Sequence, residues 1–307
     1  MNNLICIAGP TASGKTALSI ALAKELNAEI VSCDSMQVYR RMDIGTAKPT
    51  LTERQGIVHH MLDVAEPYED FSVSRYCNMA SAIVDAILSR GKTAIIVGGT
   101  GLYMDSLIKG NDFAPFPSTG MRQMLEAKPI EEVFSQLQTI DPDAAAKLHL
   151  SDRKRIIRAM EVYLETGETI TAHNLRTQSL PPKYTPIWFA LEDADRAALY
   201  ERIDRRVENM LEQGLLEEIR QLLASGIPAK ATAMQAIGYK EFVAALQGEC
   251  SLEQATAHVQ QASRNYAKRQ LTWFRRNKAI HWLQRTKDVG STEILARARQ
   301  ILAETDN

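Results

Sequence analysis

Apolar residues along this chain fall into short unbroken runs and into longer stretches at helical spacing, and their alternation predicts parallel strands joined by helices. The short runs are Leu4-Ile5-Cys6-Ile7-Ala8, Glu29-Ile30-Val31-Ser32-Cys33, Thr93-Ala94-Ile95-Ile96-Val97 and Pro186-Ile187-Trp188-Phe189-Ala190-Leu191. The first leads through a glycine-rich turn into the helical stretch Ala17 to Ala23, and Ser74 to Arg90 carries Tyr76, Met79, Ile83 and Ile87 on one helix face before stopping at Gly91. A wide gap before the last run implies an insertion. Residues 113–182 are helical in pattern, start a helix at Asp141-Pro142-Asp143, and are framed by Ala114-Pro115-Phe116-Pro117 and Leu180-Pro181-Pro182. The expectation is a three-layer α/β core with a parallel sheet, built from 1–112 and 183–307, carrying a small all-helical inserted domain at 113–182. Beyond the last strand the pattern reads as helix almost to the C-terminus, with no internal repeat.

Composition changes this picture little. The chain has 307 residues, 45% hydrophobic and 24% charged, enough for one large domain and a smaller one. With 36 Lys and Arg against 37 Asp and Glu, the net charge of −1 supplies no overall pull towards nucleic acid or membrane, so any such binding must come from local clusters. Cys6, Cys33, Cys77 and Cys250 are widely spaced and read as reduced, buried thiols. The first apolar run is too short for a signal peptide or a membrane span, so a cytoplasmic protein without membrane contact is expected.

The turn after the first strand holds the candidate chemistry. Gly9-Pro10-Thr11-Ala12-Ser13-Gly14-Lys15-Thr16 is a complete G-x-x-x-x-G-K-[ST] phosphate loop between strand and helix. Its glycines let successive amides and the positive helix end face one anion, Lys15 adds a point charge, and Thr16 offers a hydroxyl to Mg2+. This makes the core P-loop NTPase-like. The loop implies a diphosphate but does not say what is done with it. At the tip of the second strand Asp34 has two candidate tasks, holding magnesium or its water shell, or acting as a general base.

Five ordered blocks carry a resemblance over almost the whole chain. The phosphate loop with Asp34-Ser35-Met36-Gln37-Val38-Tyr39, then Gly98-Gly99-Thr100-Gly101-Leu102-Tyr103, Asp152 to Val162, Ala236-Ile237-Gly238-Tyr239 and Lys268 to Phe274 are similar to those of the tRNA dimethylallyltransferases of bacterial type. The resemblance implies transfer of a dimethylallyl group from dimethylallyl diphosphate to N6 of the adenosine 3′-adjacent to the anticodon (position 37), in tRNAs reading codons that begin with U. It also implies Mg2+ as cofactor, the tRNA anticodon stem-loop as partner, and a monomer.

The residue roles follow the blocks. Asp34 would accept the N6 proton, Thr100 would orient the amine, and Lys15 with the loop from Gly9 to Thr16 would neutralise the departing diphosphate. One further cation is needed from Arg202, Arg205 and Arg206. Spacing leaves Arg202 and Arg206 open, since they share a helix face, and the resemblance points to Arg206. For tRNA, the resemblance suggests Asp34, Ser35, Met36, Gln37, Thr100, Arg122, Lys154, Arg155, Ile156, Ile157, Arg158, Gly238, Tyr239, Lys268, Arg269 and Arg275. One departure is Lys154, where some members carry Gln.

Local composition supports RNA binding. From Ala255 through Lys287 there is no acidic side chain, while Arg264, Lys268, Arg269, Arg275, Arg276, Lys278 and Arg285 are interleaved with Tyr266, Trp273, Phe274 and Trp282. Trp273 and Trp282 read equally as core anchors. The target base would be flipped from its stack into a channel between core and insertion. Two rivals are a small-metabolite kinase using the same loop for ATP, with the insertion as lid, and an RNA-binding switch controlled by nucleotide. His59-His60 are adjacent and point apart on regular structure, so joint metal ligation is not expected.

Overall fold

The protein, described here from a computed structural model, is seen over residues 3–110, 120–286 and 289–305. Phe113, the proline-rich stretch Ala114 to Pro117 and Lys287 lie outside the described residues. Strand β1 (Leu4–Ala8) is buried at every position, as an unbroken apolar run must be when both faces of its sheet are covered. It lies between β4 (Ala94–Val97) and β5 (Ile187–Asp193); β2 (Glu29–Ser32) and β3 (His59–His60) extend the sheet beyond β4, and β6 (Ile280–Arg285) extends it beyond β5. All pairings are parallel.

Alternation then sorts side chains to the two faces. Ile5, Ile7, Ile30, Ile95 and Phe189 pack with Leu18 and Leu22 of helix Lys15–Glu25 and with Ile294 and Ala298 of helix Ser291–Thr305. Opposite them, Tyr76 and Cys77 of helix Val73–Ser89 approach Cys6 and Cys33, and the Tyr76 hydroxyl donates to the Ser32 carbonyl at 3.0 Å. The fold is therefore α/β with a parallel sheet covered on both faces. Gly91, at φ 70°, ends helix Val73–Ser89 in the left-handed conformation that the pattern implied.

Two strands were not foreseen. β3 is only two residues long, and β6 interrupts the helical reading of the C-terminal part. In β6 only Ile280 and Leu283 are buried, and the basic neighbourhood hides that pattern. Trp282 accordingly sits on an edge strand, not on the basic helix. Cysteines 6, 33 and 77 are free and buried, but Cys250 is partly exposed, contrary to the expectation for all four.

The chain divides into two compact units, one of Met1–Ile108 with Tyr184–Asn307 and one of Lys109–Lys183. The second is helical around Leu125, Val133, Leu137, Ile156, Ile157 and Met160. Asp141 caps helix Pro142–Ala145 through the Ala144 amide (3.1 Å) and also accepts from the amide and hydroxyl of Thr171 (3.0 and 2.7 Å). Because Ile156 and Ile157 are 0% and 2% exposed in this core, the tRNA contacts expected of them have no accessible side chain to make them.

Glu29, at the start of β2, meets three basic groups: His60 Nε2 at 2.8 Å, Arg90 Nη2 at 2.9 Å and Lys92 Nζ at 2.9 Å. Burial pushes its carboxyl up, but the bonds to His60, Lys92 and Arg90 outweigh burial and hold it at about 2. A depressed carboxyl stabilises the fold above its unfolded-chain value, and the contribution disappears as the pH falls towards 2. Glu29→Gln is expected to cost about 2 kcal/mol at neutral pH. Denaturant titrations between pH 7 and 2.5 should show a flatter acid loss for Glu29→Gln than for the unaltered chain; parallel curves would remove Glu29 from this role.

Candidate active site

The phosphate loop connects β1 to helix Lys15–Glu25, and its shape depends on glycine at both ends. Gly9 has φ 138°, and a Cβ there would stand 2.9 Å from the Leu191 carbonyl of β5. Gly14, at φ 95°, turns the chain into the helix. Lys15 Nζ donates to the Pro10 carbonyl at 2.6 Å, closing the loop on itself. The Thr11 amide is turned onto Gln270 Oε1 at 2.9 Å, while Lys15, Thr16 and the Thr11 residue itself line a cavity of about 360 Å³.

That cavity lies at the carboxyl ends of β1, β2 and β4, where parallel sheets bind ligands. Its wall includes Asp34 to Gln37 after β2, Gly98 and Gly99 after β4, Arg206, and Ala236 to Gly238. An apolar part comes from Ile203, Val207 and Met210 on helix Arg196–Glu212 and from Val259. Asp34 Oδ1 accepts from the amides of Met36 (2.8 Å) and Gln37 (3.2 Å), which folds the chain after β2 into the cavity wall. Burial pulls the Lys15 ammonium down to about 7, with Arg206 pushing the same way and Asp34 opposing. Arg206 is lowered by burial too, again opposed by Asp34. Two cations and one carboxylate thus converge, a net positive site suited to a polyanion.

Arg202 and Arg206 are separated by their partners. Arg202 Nη2 lies 2.5 Å from Asp193 Oδ2 at the end of β5, and its Nε donates to the Ala12 carbonyl at 3.2 Å. It braces the phosphate loop from outside, whereas Arg206 faces the cavity. Arg205 is exposed and pairs with Glu201 at 3.2 Å.

Thr100 is not itself among the residues lining the cavity, but its neighbours Ser35, Gly99 and Tyr266 are. Its Oγ1 accepts from the Ser35 amide at 3.2 Å and is hydrogen-bonded to Tyr266, whose phenol burial pushes up to about 12. The loop around it admits no side chain at Gly98, where a Cβ would be 1.9 Å from the Cys33 carbonyl, or at Gly101, where it would meet the Trp273 ring at 2.3 Å. Tyr266, Gln270 and Trp273 all project from helix Leu252–Phe274, and Trp273 Nε1 donates to Asp105 Oδ2 at 2.9 Å. Trp273 is therefore an anchor. Tyr266 was expected only among the aromatic stacking faces for RNA, and neither Gln270 nor Glu218 was a sequence candidate, although the i, i+4, i+7 spacing of Tyr266, Gln270 and Trp273 was a readable signal.

Glu218 gathers the loop behind Gln37. Its carboxylate accepts from the amides of Asp43 and Ile44 (both 2.8 Å), Gly45 (3.2 Å) and the Tyr239 hydroxyl (2.6 Å). Burial and then the Glu218 charge raise the Tyr239 phenol. With a fully buried side chain, Tyr239 holds this loop and offers its ring to no RNA, which corrects the contact expected there; Gly238 lines the cavity.

The remaining RNA candidates fall into paired and open groups. Lys268 and Arg269 are exposed, and Arg269 also lines the cavity with its guanidinium 5.6 Å above the Tyr266 ring. Tertiary contacts supply acids that the local sequence lacks: Arg264 meets Asp204 at 2.5 Å and Arg275 pairs with Glu192. Arg276 stacks on Trp273 at 4.1 Å. Within the helical unit, Lys154 and Arg155 are exposed, Arg155 with Asp152 3.8 Å away, while Arg158 pairs with Glu161 at 2.7 Å and Arg122 with Glu126 at 3.1 Å. Arg153 donates to the Glu126 and Lys128 carbonyls at 2.7 and 3.1 Å.

For a metal the donor set is narrow. Among the described residues no three His, Cys, Asp or Glu side chains group to hold an ion. His60 is bound to Glu29, and His59 Nδ1 lies 2.9 Å from the Ile57 carbonyl. A lone Thr16 hydroxyl on the cavity wall fits magnesium, which takes most of its ligands from phosphate oxygens and water. Among the described residues no helix is long and apolar enough to cross a membrane.

Comparison with known proteins agrees over nearly the full length. The family described as IPP transferase matches residues 37–277. A protein of Acetivibrio thermocellus named tRNA dimethylallyltransferase is 42% identical over 99% of this chain and 98% of its own. Among solved structures, the full-length tRNA isopentenylpyrophosphate transferase of Bacillus halodurans is 39% identical, covers 99% of this chain and 96% of its own, and has a TM-score of 0.75. A eukaryotic dimethylallyltransferase described as acting on tRNA has 31% identity and a TM-score of 0.83, covering 99% of this chain and 78% of its own.

Proposed function

The chain belongs to the IPP transferase family, and from that premise we propose that it transfers a dimethylallyl group from dimethylallyl diphosphate to N6 of the adenosine 3′-adjacent to the tRNA anticodon, in tRNAs reading codons that begin with U. The observation that carries this reading is the convergence of Lys15, Arg206 and Asp34 on one cavity with an apolar wall. A diphosphate fits the two cations, and a five-carbon hydrocarbon fits Ile203, Val207 and Met210.

In the reaction, the bond between the allylic carbon and the diphosphate oxygen breaks while N6 bonds to that carbon. N6 then carries a proton too many. Asp34 accepts it, held in place by the amides of Met36 and Gln37. Lys15, Arg206 and the phosphate-loop amides stabilise the negative charge that grows on the leaving oxygen. Thr100, tied to Ser35 and Tyr266, orients the amine. Thr16 is the side chain that would hold Mg2+, which supplies further charge neutralisation to the diphosphate. Exposed Lys268, Arg269, Lys154 and Arg155 would meet RNA phosphates.

The test is incubation of the purified chain with magnesium, radiolabelled dimethylallyl diphosphate and unmodified tRNA, followed by mass spectrometry of the nucleosides. Label on N6 of that adenosine is expected. No transfer, beside transfer by an active relative on the same tRNA, would overturn the proposal.

A further inference from the structure

We propose that Gln270 is a positioning residue for this transfer, holding the loop Gly98–Thr100 against the phosphate loop so that the nucleophile and leaving-group ends of the site keep a fixed spacing. The inference rests on the function proposed above. Gln270 is 5% exposed on helix Leu252–Phe274, and both ends of its amide are used. Oε1 accepts from the Thr11 amide and Nε2 donates to the Gly99 carbonyl, each at 2.9 Å.

The two loops it joins follow β1 and β4, whose register ends at Ile7 and Val97. Past that point the Gly98 amide donates to the Ile7 carbonyl at 3.1 Å, and Gln270 then bridges the diverging chains. One residue beyond Gly99 is Thr100, already bound to Ser35 and to Tyr266 one turn earlier on the Gln270 helix. Any shift of the Gly99 carbonyl therefore passes directly to the Thr100 hydroxyl.

Gly99 independently marks the contact. A Cβ there would stand 2.0 Å from Gln270 Nε2, yet its backbone is outside the left-handed region, so conformation alone does not demand glycine. It is the approach of Gln270 that excludes a side chain. The nearest atom outside Gln270 is the Gly9 carbonyl oxygen at 3.5 Å, an ordinary contact.

Steady-state transfer by the full chain, with dimethylallyl diphosphate and unmodified tRNA, tests the proposal. Gln270→Met preserves length and approximate volume but loses both hydrogen bonds; kcat is expected to fall about 10- to 100-fold, the effect of a misplaced reacting group, with both KM values moving less than about threefold. Gly99→Ala should lower kcat similarly by displacing Gln270. Combined with Gln270→Ala it should be no worse than Gln270→Ala alone, because the obstructed side chain is gone. An unchanged kcat for Gln270→Met overturns the proposal, as does a loss confined to the diphosphate KM or to thermal stability. Should Gln270→Met not fold, the pair with Gly99→Ala decides: wild-type kcat in Gly99→Ala, or additive losses in the double variant, overturns it. If the unaltered chain transfers label and Gln270→Met matches it, this inference alone falls; if the unaltered chain transfers none, the proposed function falls and takes the inference with it.

Discussion

Asp34→Asn is expected to leave tRNA affinity within about twofold of the unaltered chain while lowering kcat by about 10²- to 10⁴-fold, the range for losing a general base. Asparagine is the informative choice because of what Asp34 does besides chemistry. Its Oδ1 accepts from the Met36 and Gln37 amides, and an asparagine carbonyl can continue to do so. Alanine would leave both amides without that acceptor and unfold the cavity wall, so a lost activity could be read as lost shape. Single-turnover rates with saturating tRNA, beside binding of the same tRNA, check the split. Equal losses in binding and rate would make Asp34 a structural carboxylate.

Lys15→Ala carries the second large effect: a fall of about 10²- to 10³-fold in kcat/KM for dimethylallyl diphosphate, the range for removing one donor from a preorganised anion site. The Lys15 ammonium already faces Arg206 across a buried site, which is why burial and that like charge pull it down to about 7. A diphosphate between the two would relieve the repulsion, so each cation matters more with the anion present than without it. Arg206→Ala should act in the same direction. Arg202→Ala is the control: its guanidinium is engaged by Asp193 and the Ala12 carbonyl, so it should lower thermal stability more than it raises the diphosphate KM. Kinetics of the three variants at fixed tRNA settle the order, and an Arg202→Ala phenotype equal to that of Arg206→Ala would contradict the assignment.

Much of the site was legible because its chemistry is carried by short segments. The phosphate loop is one strand, one turn and one helix, with φ demands that only glycine meets at Gly9 and Gly14. Asp34 and Thr100 could be paired from sequence because both follow strands of a parallel sheet, and β2 and β4 are indeed neighbours. The basic stretch near the C-terminus was legible as composition but not as availability. Arg264 and Arg275 find acids on Asp204 and Glu192, residues distant in sequence, so part of its charge is spent within the fold. Ile156, Ile157 and Tyr239 stood in blocks that resemble the family, yet their side chains build cores that support the functional surface.

What the sequence by itself determined, then, is the local conformation of the phosphate loop, the parallel α/β order and the polar residues at the strand tips, because these depend on periodicity and on backbone preferences within a few residues. Tertiary structure decided what residue spacing left open, that Arg206 and not Arg202 faces the cavity, and it alone showed that Glu218 gathers the loop at residues 43–45 and that Gln270 joins the loops of Thr11 and Gly99. Each of those outcomes depends on a partner far along the chain, 259 residues away for Thr11 and Gln270. A polar side chain with several possible partners has no local preference among them; packing of the helix that carries it chooses which buried amide or carboxylate it must satisfy.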